Sequence, residues 1–389
     1  MKILFLDQSG KLGGAELFLL DLATAYRDRS LVGLFADGSF CTALQQRHIP
    51  VQVLAQQNLV MRKESGFWQG VRQLGQVLPL IHQVSQLSRN YDGIYANTQK
   101  AFVVGAIASL LSRRPLIYHL HDILSVEHFS PTNLRLAVTL ANHRATLVIC
   151  NSQATLEAFV AAGGNPQLAH VVYNGFVVEN YTGLPSDRGC LRQKLGLTID
   201  WEQDSSTCFV VGHFSRLSPW KGQHILIEAL THCPDNVVAL LVGDALFGET
   251  AYVEQLHQQI EQLGLQRRVK FLGFRQDVAP LMAACDLVAH TSTAPEPFGR
   301  VIVEAMLCGT PVVAAQAGGA TELVESGVTG WLVPPGQPMK LAECINICYQ
   351  QSDAAAAIAQ RARQFAQAQF NLATIQQQID GLLKQYIGS

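Results

Sequence analysis

Charge is scarce in this sequence, and several familiar motifs are missing. Lysine and arginine total 28 against 30 acids, so 15% of the 389 residues are charged and the net charge is −2. Nothing in that balance argues for nucleic acid, and none is expected as a partner. The nine cysteines form no CxxC pair and mostly sit in apolar runs. Buried reduced thiols are expected rather than zinc ligands or disulfides, which favours the cytoplasm. The opening MKILFLDQSG has no apolar segment followed by a small-residue cleavage site. Apolar runs such as 101-AFVVGAIASLL-111 fall short of the ~20 residues that span a bilayer. A cytoplasmic protein is expected, at most peripheral on the inner face of the plasma membrane. The GxGxxG dinucleotide fingerprint, the Gly-Lys-Ser/Thr end of a P-loop and any Asp-x-Asp are also absent.

What is present reads as a packed enzyme of two domains, since 48% of residues are hydrophobic and the chain is long for one core. Short apolar runs alternate with helix-like stretches. The first series is 2-KILFLD-7, 31-LVGLFA-36, 51-VQVLA-55, 93-GIYAN-97, 116-LIYHLH-121, 146-TLVIC-150 and 170-HVVYN-174. The second is 207-TCFVVGHF-214, 237-VVALLVG-243, 269-VKFLG-273, 286-DLVAHT-291, 311-PVVAA-315 and 331-WLV-333. Continuous apolar runs of this kind predict parallel strands covered on both faces. The polar stretch 178–206 between the series reads as a connection between two α/β halves, whose strand ends would line a ligand cleft.

Three segments place chemistry at such strand ends. In 10-GKLGGAELFLLDLA-23, Gly13 and Gly14 open a helix and are either a tight turn or a phosphate site. In 209-FVVGHFSRLSPWKGQHILIEAL-230, Arg216 and Lys221 follow a strand and precede a helix, which suits a diphosphate or a solvated loop. In 295-PEPFGRVIVEAMLCGTPVVAA-315, a helix beginning at Gly299 would leave amides around Phe298, Gly299 and Arg300 free for a phosphate. Glu304 inside that helix could accept from ribose hydroxyls, and Glu296 from a sugar. The bland alternative makes Glu296 a solvated loop acid. A fourth segment, 61-MRKESGFWQGVRQLGQVLPLIHQV-84, mixes Arg62, Lys63 and Arg72 with Phe67, Trp68, Val71 and Leu74. It suits a helix lying in a lipid interface or one packed inward, with Pro79 expected to interrupt it.

Taken in order and spacing, GGAE, 119-HLHD-122, 172-VYNG-175, Arg216 with Lys221, 273-GFRQDV-278, EPFGRVIVE, 308-CGTPVVA-314 and 329-TGWLVPPG-336 resemble the retaining glycosyltransferases of glycosyltransferase family 4. The resemblance covers nearly the whole chain. It implies the GT-B fold, an α/β architecture of two Rossmann-like, doubly wound parallel-sheet domains facing each other across a cleft. Residues 1–180 would bind the acceptor and 181–371 the nucleotide sugar, with a C-terminal helix at about 372–389 packing back onto the first domain. Arg216 and Lys221 match the diphosphate pair, Glu304 the ribose acid, and Glu296 the acid near the donor sugar's hydroxyls. Phe298, Gly299, Arg300 and Val301 match the loop that wraps sugar and phosphate, and Gly14 the glycine facing the donor phosphate. Gly243 and Arg275 complete the implied donor set. His121 matches the histidine beside the anomeric carbon, with His119 ranked second. Catalytic roles are thus implied for His121, Glu296, Arg216 and Lys221, and acceptor-side roles for Glu16, Asn97, His119, Asp122 and Asn174. The sequence departs from the family in having Asn97 where a histidine is frequent, and 174-NGFVV-178 where an aspartate usually follows.

The expected activity is transfer of a hexosyl group, retaining its anomeric configuration, from a nucleotide diphosphate sugar to a glycan or lipid-linked acceptor. UDP-glucose is favoured over GDP-mannose. No cofactor or metal is expected, since no Asp-x-Asp occurs in the chain, which fits protein cations replacing a metal. The rival readings are a nucleotide-sugar epimerase of the same fold and a non-catalytic nucleotide-sugar-binding partner.

Overall fold

The structure, a computed structural model, describes residues 1–54, 67–126, 129–184, 187–195, 208–245 and 248–388; for 67–76 the backbone alone is described. The chain divides into two compact units, Met1–Phe176 with Leu372–Ser389, and Val177–Asn371.

The first unit holds β1 (Ile3–Asp7), β2 (Ser30–Leu34), β3 (Val51–Val53), β4 (Gly93–Ala96), β5 (Leu116–Leu120), β6 (Leu147–Cys150) and β7 (Ala169–Val171). The second holds β8 (Phe209–Phe214), β9 (Val237–Val242), β10 (Val269–Gly273), β11 (Leu287–His290), β12 (Val312–Ala315) and β13 (Trp331–Val333). Each strand falls on one of the apolar runs, with ends shifted by a few residues. Neighbours in both sheets pair in parallel, in the orders β3-β2-β1-β4-β5-β6-β7 and β10-β9-β8-β11-β12-β13. The reason is visible in β1. Leu4 and Leu6 enter one core with Phe102 and Tyr118, while Ile3 and Phe5 enter another with Tyr95 and Ile117. Successive side chains point to opposite faces, so both faces must be apolar when helices cover both.

In each sheet the chain order reverses once, between β1 and β4 and between β8 and β11. These are the topological switch points, where the loops leaving neighbouring strands diverge and leave room for a ligand. The final helix, Leu372–Ile387, joins the first unit. Its Ile375, Ile379 and Leu383 recur at four-residue spacing and are buried beside Phe5 and Phe18, and the Leu372 amide donates to the Phe176 carbonyl at 2.9 Å. Gly175 makes this docking possible, because a Cβ there would lie 2.9 Å from the Leu372 Cα.

Two expectations need correction. Pro79 does not interrupt its helix, which runs from Phe67 to Ser88 with the proline inside. Proline forfeits one helical hydrogen bond, yet Leu80, Ile81 and Val84 beyond it are buried in the core and hold the helix in place. The lipid-facing reading of that segment falls on residues 61–66 and on side chains of 67–76, outside what is described. The stretch 178–206 is also more than a connection. Its helix Arg188–Lys194 sends Arg192 into the second unit, where it pairs with Asp286 at 2.6 Å and donates to the Ala284 and Cys208 carbonyls. All nine cysteines are free thiols. Among the described residues no helix is long and apolar enough to cross a membrane.

Candidate functional site

In the second unit, the loops leaving β8 and β11 meet at the switch point. The Lys221 ammonium donates to both oxygens of Glu296, at 3.0 and 2.7 Å. Ser292 Oγ donates to the same carboxylate at 3.0 Å, and His290 Nε2 lies 3.2 Å from it. Burial pushes the Glu296 carboxyl toward its neutral form, but Lys221 and the His290 ring overcome this and hold it well below the usual carboxylate range. Glu296 is therefore a carboxylate, and the solvated-loop alternative does not describe a side chain 13% exposed.

Backbone fit builds this cluster. Gly222, with φ of 74°, lets the Lys221 turn press onto β11, since a Cβ there would meet the Thr291 carbonyl at 2.0 Å. Thr291 Oγ1 donates to the Gly222 carbonyl, and His213 Nε2 lies 3.2 Å from the Lys221 carbonyl. Burial and the nearby His290 lower the His213 pKa to about 3, so its ring stays neutral as a fixed structural donor. Gly318 and Gly319 receive the Glu296 loop, and the Gly319 amide donates to the Glu296 carbonyl at 2.7 Å. Trp220 lies under both cations, with the Lys221 Nζ 4.0 Å and the Arg216 Cζ 5.5 Å from its ring centre.

The other donor-side residues fall into separate places. Gly299, left-handed with φ of 100°, caps the helix Arg300–Cys308, whose N-terminus has no side-chain cap. One turn in, Glu304 is held by Arg300 at 3.4 Å and Tyr181 at 3.5 Å. Phe298 is buried and packs edge-on against Phe370, so it presents its backbone rather than its ring. Val301, at the start of the same helix, is partly exposed. Gly243 serves the fold directly, because a Cβ there would strike the Ser215 carbonyl at 2.0 Å. It thereby seats the loop that carries Arg216. Arg275 grips Asp277 through Nε at 2.7 Å, within its own loop.

In the first unit the switch point is built from acids and amides. Gly13 is the N-cap of the helix Gly14–Thr24, and Glu16 is its third residue. The Glu16 carboxyl group folds back and accepts from the Gly13 and Glu16 amides, half of a capping box. Burial and the nearby Asp7 push its pKa up to about 8. Asp7, fully buried at the end of β1, accepts from Asn97 Nδ2 at 2.7 Å, and the other end of Asn97 lies 3.0 Å from His121 Nε2. His119 is in the core, its Nδ1 2.7 Å from the Tyr95 hydroxyl and its ring 3.9 Å from that of His121. Burial lowers its pKa well below the usual value. It therefore backs His121 rather than facing solvent. Asp122 is exposed, and Asn174 is buried with no partner for its side-chain oxygen among the described residues.

Asp7, Trp220, His290 and Ser292 escaped the sequence reading. Trp220 had a signal, standing between the two cations in SPWK. The others lie inside apolar strands or a short polar loop, and only pairing across the sheet gives them meaning.

Comparison with known proteins supplies the family. The model described as Glycosyltransferase Family 4 matches residues 12–180, and that described as Glycosyl transferases group 1 matches residues 200–365. The curated D-inositol 3-phosphate glycosyltransferase of Mycobacterium sp. (strain KMS) is 32% identical over 254 residues, 62% of this chain and 55% of that protein. The chain thus spans about half the length of that relative. Anabaena Alr3699/HepE, solved in complex with UDP-glucose, is 61% identical, with a TM-score of 0.90 over 99% of this chain and 100% of that one. The sucrose-phosphate synthase of Thermosynechococcus elongatus, at 21% identity and a TM-score of 0.81 over 99% of this chain and 98% of that one, shares the fold. On these matches and its two parallel-sheet domains, the chain belongs to glycosyltransferase family 4 and has the GT-B fold.

Proposed function

We propose that the protein is a retaining glucosyltransferase that uses UDP-glucose, without a metal ion, to extend a glycan or lipid-linked acceptor in polysaccharide or glycolipid synthesis. The observation that carries this reading is the Lys221–Glu296 pair at the β8/β11 switch point, a cation and a hydroxyl acceptor on adjoining loops. The choice of UDP-glucose over GDP-mannose is supported by the Anabaena relative, whose structure contains UDP-glucose.

In this reading the bond from C1 to the diphosphate oxygen breaks as the acceptor oxygen bonds C1 on the same face. The acceptor's proton passes to the leaving phosphate oxygen. Negative charge grows on the diphosphate, and Arg216, Lys221 and the amides at the start of the helix Arg300–Cys308 stabilise it. Lys221 exchanges Glu296 for phosphate when donor binds. Glu296, still held by His290 and Ser292, then accepts from the glucose hydroxyls, while Glu304 accepts from the ribose. Gly14 offers an amide to the donor phosphate. His121 stands beside the anomeric carbon and stabilises the charge that develops there.

The test is release of UDP from UDP-glucose in EDTA, with and without a glycan acceptor, followed by NMR of the anomeric product. Retained configuration with UDP release is expected. UDP binding with no release would make the protein a binder, and a changed hexose would make it an epimerase.

A further inference from the structure

We propose that Asp7 and Asn151 are positioning residues that hold the His121 imidazole neutral, with its proton on Nε2. Both act through side-chain amides whose direction is fixed from behind. The inference rests on the role given to His121 above.

On one side, Asn97 Nδ2 donates to Asp7 Oδ2 at 2.7 Å and to the Ala15 carbonyl at 3.2 Å. Two acceptors fix the nitrogen end of that amide, so Oδ1 faces His121 Nε2 at 3.0 Å. A carbonyl oxygen only accepts, and the proton must therefore sit on Nε2. On the other side, Ser152 Oγ donates to Thr155 Oγ1 at 3.0 Å, and Thr155 Oγ1 donates to Asn151 Oδ1 at 2.9 Å. That leaves Asn151 Nδ2 facing His121 Nδ1 at 3.5 Å, a donor facing a lone pair. Both ends of the relay demand the same tautomer. An imidazolium would set an N–H against the Asn151 amide hydrogens.

Asp7, Asn97 and Asn151 are all buried; Asp7 ends β1, and Asn97 and Asn151 immediately follow β4 and β6, the strands that flank β5. The ring itself stacks on His119 at 3.9 Å and lies 6.0 Å from Phe18. A His121 fixed in this way has both ring nitrogens engaged by protein amides and is not the base that takes the acceptor's proton, which agrees with transfer of that proton to phosphate.

Histidine labelled with nitrogen-15 in the full protein reads the tautomer by NMR. At neutral pH the wild type should show His121 protonated on Nε2; protonation on Nδ1, or an imidazolium, overturns the relay. The Ser9 amide donates to Asp7 Oδ1 at 2.8 Å, so in Asp7→Asn the side-chain oxygen stays on Ser9 and the new NH2 meets the Asn97 NH2, which favours turning the Asn97 amide around. His121 should then shift toward the Nδ1–H tautomer, with kcat lower by roughly tenfold and KM for UDP-glucose little changed. An unchanged His121 tautomer in a folded Asp7→Asn protein also overturns the relay. If Asp7→Asn does not fold, the wild-type spectrum decides alone. His121→Ala separates the two ideas: normal transfer in that variant refutes the catalytic reading, whatever the tautomer.

Discussion

The two units place buried carboxylates at the same point of their topology and treat them in opposite ways. In the first, Asp7 and Glu16 are met by amides from Asn97, Gly13 and neighbouring backbone; burial raises both, and the Asp7 charge raises Glu16 further. In the second, Glu296 is a little more exposed but receives an ammonium, and it stays ionised. Amides satisfy lone pairs without supplying a formal charge, whereas a lysine at 2.7 Å changes which protonation state is stable. The difference matches the proposed division of ligands. A diphosphate needs cations that can leave one partner for another. Neutral hydroxyls are met by a network with little net charge.

The sharpest way to break this comparison is to remove the cation. Lys221→Ala should lower transfer by roughly 10²–10³-fold, the scale of losing one donor to a developing anion. Glu296 would also lose its partner, and the melting temperature should fall. Near-normal kcat in the steady-state assay would end the idea that the second unit is the charged site.

Glu296→Gln separates charge from shape. It removes the competitor for Lys221, so UDP should bind several-fold tighter, while glucose recognition loses a charge-assisted hydrogen bond of about 1.5–3 kcal/mol. Calorimetry with UDP, beside transfer rates with UDP-glucose, measures both. Weaker UDP binding would show that Lys221 is not held back by Glu296.

The pH dependence of stability should differ in sign between the units. Glu16 has a folded pKa of about 8 against 4.5 for the free side chain. The folded state then keeps a proton that the unfolded state releases. Its contribution is fully present below about pH 4.5 and is lost as pH rises toward 8, on the order of a few kcal/mol. Glu296 is depressed, so its contribution is present above 4.5 and is lost as pH falls below that value. Urea unfolding between pH 5 and 8 should show a downward slope that Glu16→Gln flattens. An unchanged slope would place the acids of the first unit in an ordinary ionised state.

The smallest expected effect is that of EDTA. If protein cations stabilise the diphosphate, transfer should persist in chelator; loss restored by magnesium or manganese would assign part of that work to a metal.

Much of this was legible before any fold was seen. The thirteen strands among the described residues could be read because parallel strands buried on both faces are mainly apolar, as Val237–Val242 shows. Gly299 before the helix Arg300–Cys308 was equally readable, since a left-handed cap strongly favours glycine. Arg192 was not. In sequence it sits among polar, turn-rich residues, and its burial follows from reaching Asp286, 94 positions later. The capping role of Glu16 is local and readable in principle, but its raised pKa comes from burial and from Asp7 at the end of β1.

The sequence by itself determined the alternation of strands and helices, the family motifs and the loops that carry Arg216, Lys221, Glu296 and Glu304. These depend on spacing and residue type over a few positions. Only the tertiary structure decided which acids are ionised, which way the Asn97 and Asn151 amides point, and that Lys221 and Glu296 form a pair. Those properties come from burial and from partners dozens of residues away, and electrostatic energies at distances near 3 Å depend on which groups the fold brings together.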